Sequence, residues 1–328
     1  MGLLVDGVWV SKAESNEIPN DRFERSKAQI RNWVTRDGSA GPTGASGFAA
    51  ESGRYHLYVA WNCPWAHRTL LMRALKGLQP HIPISVLAPK RTDDGWVFAP
   101  QEGYIDTLGG ANALHEIYAS GTENYTGRVT VPVLWDTLNS KLVSNESAEI
   151  IRMFNDAFDG IASTNTDFFP ERHRQEIEEW NGYIYPKLNN GVYRAGFSRS
   201  QDAYDEAVAD VFEALDRIEN ALEPGKWLLG DAITEADVRL FPTLARFDVA
   251  YWSAFKCNRR RLIDYPNLWS YTRRFHALPG VAETVKLEIY RRGYHSRSEA
   301  RNPHGIVPMG PAVDFGKHSG IESGPQPV

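Results

Sequence analysis

Cys63 is followed by Pro64, Trp65 and Ala66. It stands between a short β-prone run, "YHLYVAW" at 55–61, and a stretch whose apolar residues recur at helical spacing. Proline suits the first position of a helix, because the N–H it lacks would have no partner there. Cys63 therefore sits at a strand-to-helix turn. The first N–H groups of a helix and its dipole favour an anion, so the chemistry open to this cysteine is that of a thiolate nucleophile. The fourth position of the motif, where Cys-x-x-Cys redox sites carry a second sulfur, is Ala66. A mixed disulfide at Cys63 would thus have no internal thiol to resolve it and would wait for an external one. The alternative for a lone cysteine is a small buried hydrophobe. That reading suits Cys257, in "AFKCNRRR", which has no comparable context.

Two cysteines in 328 residues exclude a disulfide framework and suit a reducing compartment, so a cytoplasmic location is expected. The abundant external thiol there is glutathione. Other residues offer what that tripeptide needs. Pro132 interrupts the β-prone run "RVTVPVLWD" at 128–136, which argues for an edge, a bulge or a cis bond facing the cysteine. The backbone of Val131 can pair with the cysteinyl unit. Ser147 and nearby amides, at the helix start in "SNESAE", can hold the γ-glutamyl carboxylate, and Glu146 can receive the ammonium group. Asn145 is the expected N-cap of that helix, with Glu146 and Glu149 in its first turn.

The elements that must position these residues follow from periodicity. Ala66, Leu70, Ala74 and Leu78 share a helix face that ends near Gly77, and "PISVLA" at 83–88 reads as a second strand. Strand, helix and strand in that order imply a parallel pair with a crossover. Short helices are expected in "SKAQIRNWVT" and "GANALHEIYASG". "RVTVPVLWD" and the start of "KLVSNESAEIIRMFNDAF" complete a mixed sheet within an α/β domain at 51–160. Four stretches with helical periodicity then make an all-helical domain at 165–290; in one, Ala207, Val211, Leu215, Ile218 and Leu222 lie on one face. Residues 1–50 and 291–328 read as irregular extensions, the last dozen as disordered. Thr234 and Asp237 form a capping box, flanked by Ile233 and Val238 as a hydrophobic staple, and serve folding.

Composition narrows the function classes. A net charge of −5 gives no case for nucleic acid or an anionic membrane. No apolar run nears the roughly 18 residues a bilayer span needs, and the first residues lack a signal-peptide pattern. Nine scattered histidines offer no metal site, so none is expected.

Seven segments carry a resemblance: "NCPWAHRTL", "GRVTVPVLWD", "SNESAEIIRMFN", "NNGVYRAGF", "AYDEAVADVFEALDRIE", "TEADVRLFPTLARFD" and "NPHGIVPMGP". In them the chain resembles the glutathionyl-hydroquinone reductases, or Xi-class glutathione transferases, from about residue 25 to 311. The resemblance implies a thioredoxin-like domain followed by a helical glutathione-transferase domain, with extensions at both ends, in a homodimer. It implies that Cys63 attacks the sulfur of a glutathionyl-hydroquinone, that a second glutathione resolves the mixed disulfide, and that glutathione is a co-substrate. It also implies that Trp96, Arg128, Val131, Glu146 and Ser147, beside Pro132, hold glutathione, and that Tyr193 and Tyr294 bond the quinol oxygen. Tyr183, Tyr185, Tyr251 and Trp252 read as packing residues, and His67 and Arg68 as support behind the nucleophile. Two alternatives stand beside this: an omega-like general thiol transferase or dehydroascorbate reductase, and a non-catalytic module with the transferase fold. The first lacks "NNGVYRAGF"; the second has no need of Cys-Pro-Trp-Ala.

Overall fold

The computed structural model describes residues 2–11, 18–222 and 226–316. The chain opens with a hairpin, β1 (Leu3–Val5) against β2 (Val8–Val10), turned by Asp6 and Gly7 at φ of 49° and 78°. Both angles lie where a tight hairpin turn needs them, and glycine tolerates its own without cost.

The sheet that positions the site follows. β3 (Tyr55–Val59) leads into α1 (Pro64–Leu75), β4 (Ile84–Val86), α2 (Leu114–Gly121), β5 (Val133–Asp136), β6 (Lys141–Ser144) and α3 (Ser147–Asp156). The strand order is β4-β3-β5-β6, with β3 parallel to β4 and antiparallel to β5, and β5 antiparallel to β6. Every residue of β3 and β5 is buried, as strands at the centre of a covered sheet must be. The expected crossover is present, and α1 packs against α3.

Three local expectations are corrected. Residues in "SKAQIRNWVT" are extended: Asn32 N–H donates to the Val143 carbonyl at 2.8 Å and Asn145 N–H to that of Ile30 at 3.1 Å. Ile30 and Val34 have helical spacing and are both buried, but the open edge of β6 offers this segment backbone partners that a short helix cannot match. Asn145 does not cap α3. Its amide oxygen accepts from Ile30 N–H at 3.2 Å and its nitrogen donates to Tyr118 Oη at 3.1 Å; Glu146 is the cap, accepting from Ala148 N–H at 3.0 Å. Leu78 lies beyond the end of α1, yet it is fully buried.

The second half is helical: α4 (Arg174–Ile184), α5 (Gly191–Phe197), α6 (Gln201–Ala221), α7 (Glu235–Arg246), the short α8 (Trp252–Ala254), α9 (Pro266–His276) and α10 (Leu287–Tyr294). Two π-helical turns interrupt it, Tyr185–Asn189 before α5 and Phe247–Tyr251 after α7. The apolar face of α6 is buried as expected. Thr234 and Asp237 form the capping box of α7, and Asp237 also accepts from Leu228 N–H at 3.0 Å and Tyr271 Oη at 2.8 Å. The helical domain expected at 165–290 ends in α10, which runs to Tyr294. After it the chain is irregular and strapped down, with the Arg291 guanidinium donating to the Met309 and Pro311 carbonyls at 2.9 Å each. The expectation of a disordered last dozen falls outside the described residues. α1 meets α7 across the junction of the halves, and the site lies beside that contact.

Candidate active site

Cys63 is the N-cap of α1. The Ala66 N–H donates to its Sγ at 3.5 Å, and the thiol faces the Val131 carbonyl, also at 3.5 Å. The Val131–Pro132 peptide is cis. The turn before Cys63 is fixed from the helical half. Arg246, fully buried in α7, donates to the Trp61 carbonyl at 2.9 Å, the Asn62 carbonyl at 3.1 Å and Nδ1 of His67 at 2.9 Å, with Tyr290 under its guanidinium at 3.8 Å. No carboxylate pairs with it among the described residues, so four neutral acceptors, the Pro242 carbonyl at 2.8 Å being the fourth, carry a buried charge. Burial and the Arg246 charge hold His67 far below the usual histidine range. It is neutral, accepting at Nδ1 and donating from Nε2 to Thr284 Oγ1 at 2.8 Å. His67 and Arg68 thus support the helix that carries the nucleophile. Cys257 is fully buried, and burial pushes its thiol up.

Cys63 opens on a cavity of about 1600 Å3 between the two halves, whose walls bring together every residue expected to hold glutathione or bond the quinol oxygen. Trp96, Arg128, Val131, Pro132, Glu146 and Ser147 line one side; Tyr193 and Tyr294 line the other. Ser147, at the first position of α3, is 4% exposed, and Trp96 lies under Arg91 at 4.3 Å.

The tyrosines come from α5 and α10. Tyr193 Oη and Tyr294 Oη are 2.6 Å apart, and Tyr251 Oη lies 3.2 Å from Tyr294 Oη. Burial raises all three, so each keeps its hydrogen at neutral pH; the Cys63 charge raises Tyr193 further. Phe255 packs edge-on against Tyr193 and Tyr294, with centroids at 5.2 and 5.4 Å.

The segment "NNGVYRAGF" has two tasks. Its asparagines orient arginines beside Trp65: Asn189 accepts from Arg68 at 2.7 Å and Asn190 from Arg25 at 2.9 Å, placing the two guanidiniums 4.6 and 4.7 Å from the Trp65 ring centre. Its Tyr193 faces the cavity.

The sequence reading missed part of this. Tyr251 is a member of the hydroxyl cluster as well as a packing residue. Tyr185 lines the cavity beside Trp65, at 5.8 Å, whereas Tyr183 packs on Arg217 away from it. Arg246 and Arg25 went unremarked, since nothing local in the chain marks an arginine whose acceptors at the site are more than 150 residues away.

Models of the glutathione S-transferase N-terminal and C-terminal domains match residues 62–157 and 201–274. The chain is 48% identical to glutathionyl-hydroquinone reductase YqjG of Escherichia coli K12 over 98% of each chain. It is 44% identical to glutathionyl-hydroquinone reductase PcpF of Sphingobium chlorophenolicum over 95% of this chain and 97% of that one. This protein belongs to the Xi-class glutathione transferases. Two solved structures share its fold closely. The glutathione-bound YqjG superposes with a TM-score of 0.88 over 97% of this chain and 98% of that one, again at 48% identity. A Xi-class transferase from Natrialba magadii, 42% identical, gives 0.87 over 97% of this chain and 96% of that one. The Xi-class fold is thus a thioredoxin-like domain followed by a helical one, with the cysteine-bearing turn at their junction. No helix among the described residues is long and apolar enough to cross a membrane.

Proposed function

We propose that this Xi-class transferase is a glutathione-dependent reductase of S-glutathionyl-hydroquinones. The observation that carries the reading is one cavity holding a capped cysteine, no second sulfur at Ala66, and paired phenolic hydroxyls opposite. YqjG and PcpF bear the reductase name, and YqjG has been solved with glutathione bound. In the first step the Cys63 thiolate attacks the conjugate sulfur: an Sγ–S bond forms and the sulfur–ring carbon bond breaks. The electron pair stays with the ring, which takes up a proton, and the hydroquinone leaves. Tyr193 and Tyr294 donate hydrogen bonds to the quinol oxygen while charge builds on it. In the second step a glutathione thiolate attacks the mixed disulfide, Cys63 leaves as thiolate, and glutathione disulfide is released. The conjugate and one glutathione become hydroquinone and glutathione disulfide.

Trp96, Arg128, Val131, Glu146 and Ser147 hold the tripeptide in this reading, with Val131 pairing its backbone to the cysteinyl unit and the start of α3 receiving a carboxylate. The enzyme works as a homodimer in the cytoplasm. The test uses glutathionyl-menadiol. Without added glutathione, intact mass should show one glutathione adduct and menadiol release; Cys63→Ala should show neither. A Cys63→Ala enzyme with full turnover would sink the mechanism.

A further inference from the structure

The cavity is far more basic than the chain. Ten lysines and arginines line it against a single carboxylate, Glu146, although acidic side chains outnumber basic ones in the sequence, 41 to 36. The two carboxylates of glutathione account for charge on the Arg128 and Ser147 side. They leave the opposite wall, around Trp65, Tyr193 and Tyr294, unexplained.

Two arginines stand there. Arg25 is fixed through Nε by Asn190, and its guanidinium lies 4.6 Å from the Tyr193 ring centre and 4.7 Å from that of Trp65. One terminal nitrogen, Nη2, is shielded from solvent and has no hydrogen-bond partner. Arg301 reaches over the Phe197 ring at 4.1 Å from a loop that Asn302 braces: its side-chain nitrogen donates to the His295 carbonyl at 2.5 Å and the Ile306 carbonyl at 3.0 Å. Neither arginine has a carboxylate partner among the described residues. A guanidinium on an aromatic wall, held in place but with an unused donor, is arranged for a planar anion.

We propose that the quinol side of the cavity selects conjugates whose ring carries an anionic substituent, a carboxylate or sulfonate, held by Arg25 and Arg301. The inference rests on the reductase reading and names its substrate class. The aromatic ring stacks among Trp65, Tyr193 and Phe197, the quinol oxygen meets the tyrosines, and the acidic group points back to the two guanidiniums. Unmodified hydroquinones still fit, without the charge pairing. The asparagines of "NNGVYRAGF" and "NPHGIVPMGP" then act in specificity, Asn190 by bonding Arg25 and Asn302 by bracing the loop that carries Arg301.

The test compares the glutathionyl conjugates of 2,5-dihydroxybenzoate and of 2,5-dihydroxybenzamide, which share size and differ in charge. In the parent enzyme kcat/KM should favour the carboxylate by about tenfold or more. In the Arg25→Gln, Arg301→Gln double variant the ratio should fall to within about twofold of unity, and Arg25→Lys should restore part of it. Intrinsic reactivity differences between the conjugates are the same in every variant, so the change in ratio isolates the charge. As a measurement needing no variant, free 2,5-dihydroxybenzoate should inhibit glutathionyl-menadiol turnover at several-fold lower concentration than the amide. Equal kcat/KM for the two conjugates, equal inhibition, or a preference untouched in the double variant would each overturn the inference while the reductase reading stands. Turnover of neither conjugate, nor of glutathionyl-menadiol, would bring down both.

Discussion

Arg246 shows how one side chain can set an active site without touching substrate. Its guanidinium is dry, and its acceptors are the carbonyls of the two residues before Cys63, the ring of His67 on the next turn and the Pro242 carbonyl of its own helix. Removing it would leave those acceptors unpaired in the core and loosen the turn that aims the sulfur. Arg246→Gln should lower unfolding free energy by about 2–4 kcal/mol. In the folded fraction it should slow both kcat and Cys63 alkylation by iodoacetamide at pH 7 by roughly tenfold or more, with the glutathione KM within about twofold of the parent. Unchanged alkylation with a lower melting temperature would reduce Arg246 to a packing role. The sequence displayed Cys63 clearly because its partners in meaning, Pro64 and Ala66, are adjacent. Arg246 was silent because its partners are supplied by the fold.

At the level of elements, periodicity read the sheet and most helices correctly, since each buried face is a local pattern. It failed where the pattern was satisfied in another way. The segment around Ile30 is an added edge beside β6, and the site helices are offset by π turns. In a π turn five residues separate bonded partners, so a period of 3.6 no longer tells which side chain faces inward. Tyr251 ends one such turn, and Asn189 and Asn190 stand at the end of the other. The first turn contributes Tyr185 to the cavity wall, and the second sets Tyr251 behind it, against Tyr294. Close packing there also explains Gly196: a Cβ at this position would meet ring atoms of Phe255 at 2.2 Å. Gly196→Ala should drive Phe255 toward Tyr193, cost about 1–3 kcal/mol in a denaturant titration, and raise KM for glutathionyl-menadiol several-fold with little change for glutathione. Equal effects on both substrates would show a general loss of folding instead.

Across the whole molecule, buried neutral histidines make stability depend on acid. His56 in β3 bonds Ser85 Oγ at 2.8 Å; burial lowers its pKa to about 4, helped by Arg73 and opposed by Asp106. Its unfolded value is 6.5, so the unfolded chain binds the extra proton and the folded one resists it. Stability is therefore full above about pH 6.5 and falls as pH drops toward 4, by about 2 kcal/mol from this group alone at pH 5. His67 acts in the same direction. In urea titrations at pH 7.5 and 5, His56→Gln should lose about 2 kcal/mol less than the parent on acidification; identical losses would remove His56 as the cause. A final consequence at this scale concerns the hydroxyls of Tyr193, Tyr251 and Tyr294, brought together from two helices and a π turn. Three hydroxyls hold three hydrogens, but two links need only two. Tyr251 is enclosed, with Tyr294 as its hydroxyl partner, so its hydrogen is committed to that link. The hydrogen left over sits on Tyr193 or Tyr294 and faces the cavity, so an oxygen entering the pocket is met by a donor. Tyr251→Phe keeps that spare hydrogen and removes the bond that polarises it, so kcat should fall by roughly threefold, less than for Tyr193→Phe. The hydroxyl furthest from the quinol thus sets the direction in which the other two point.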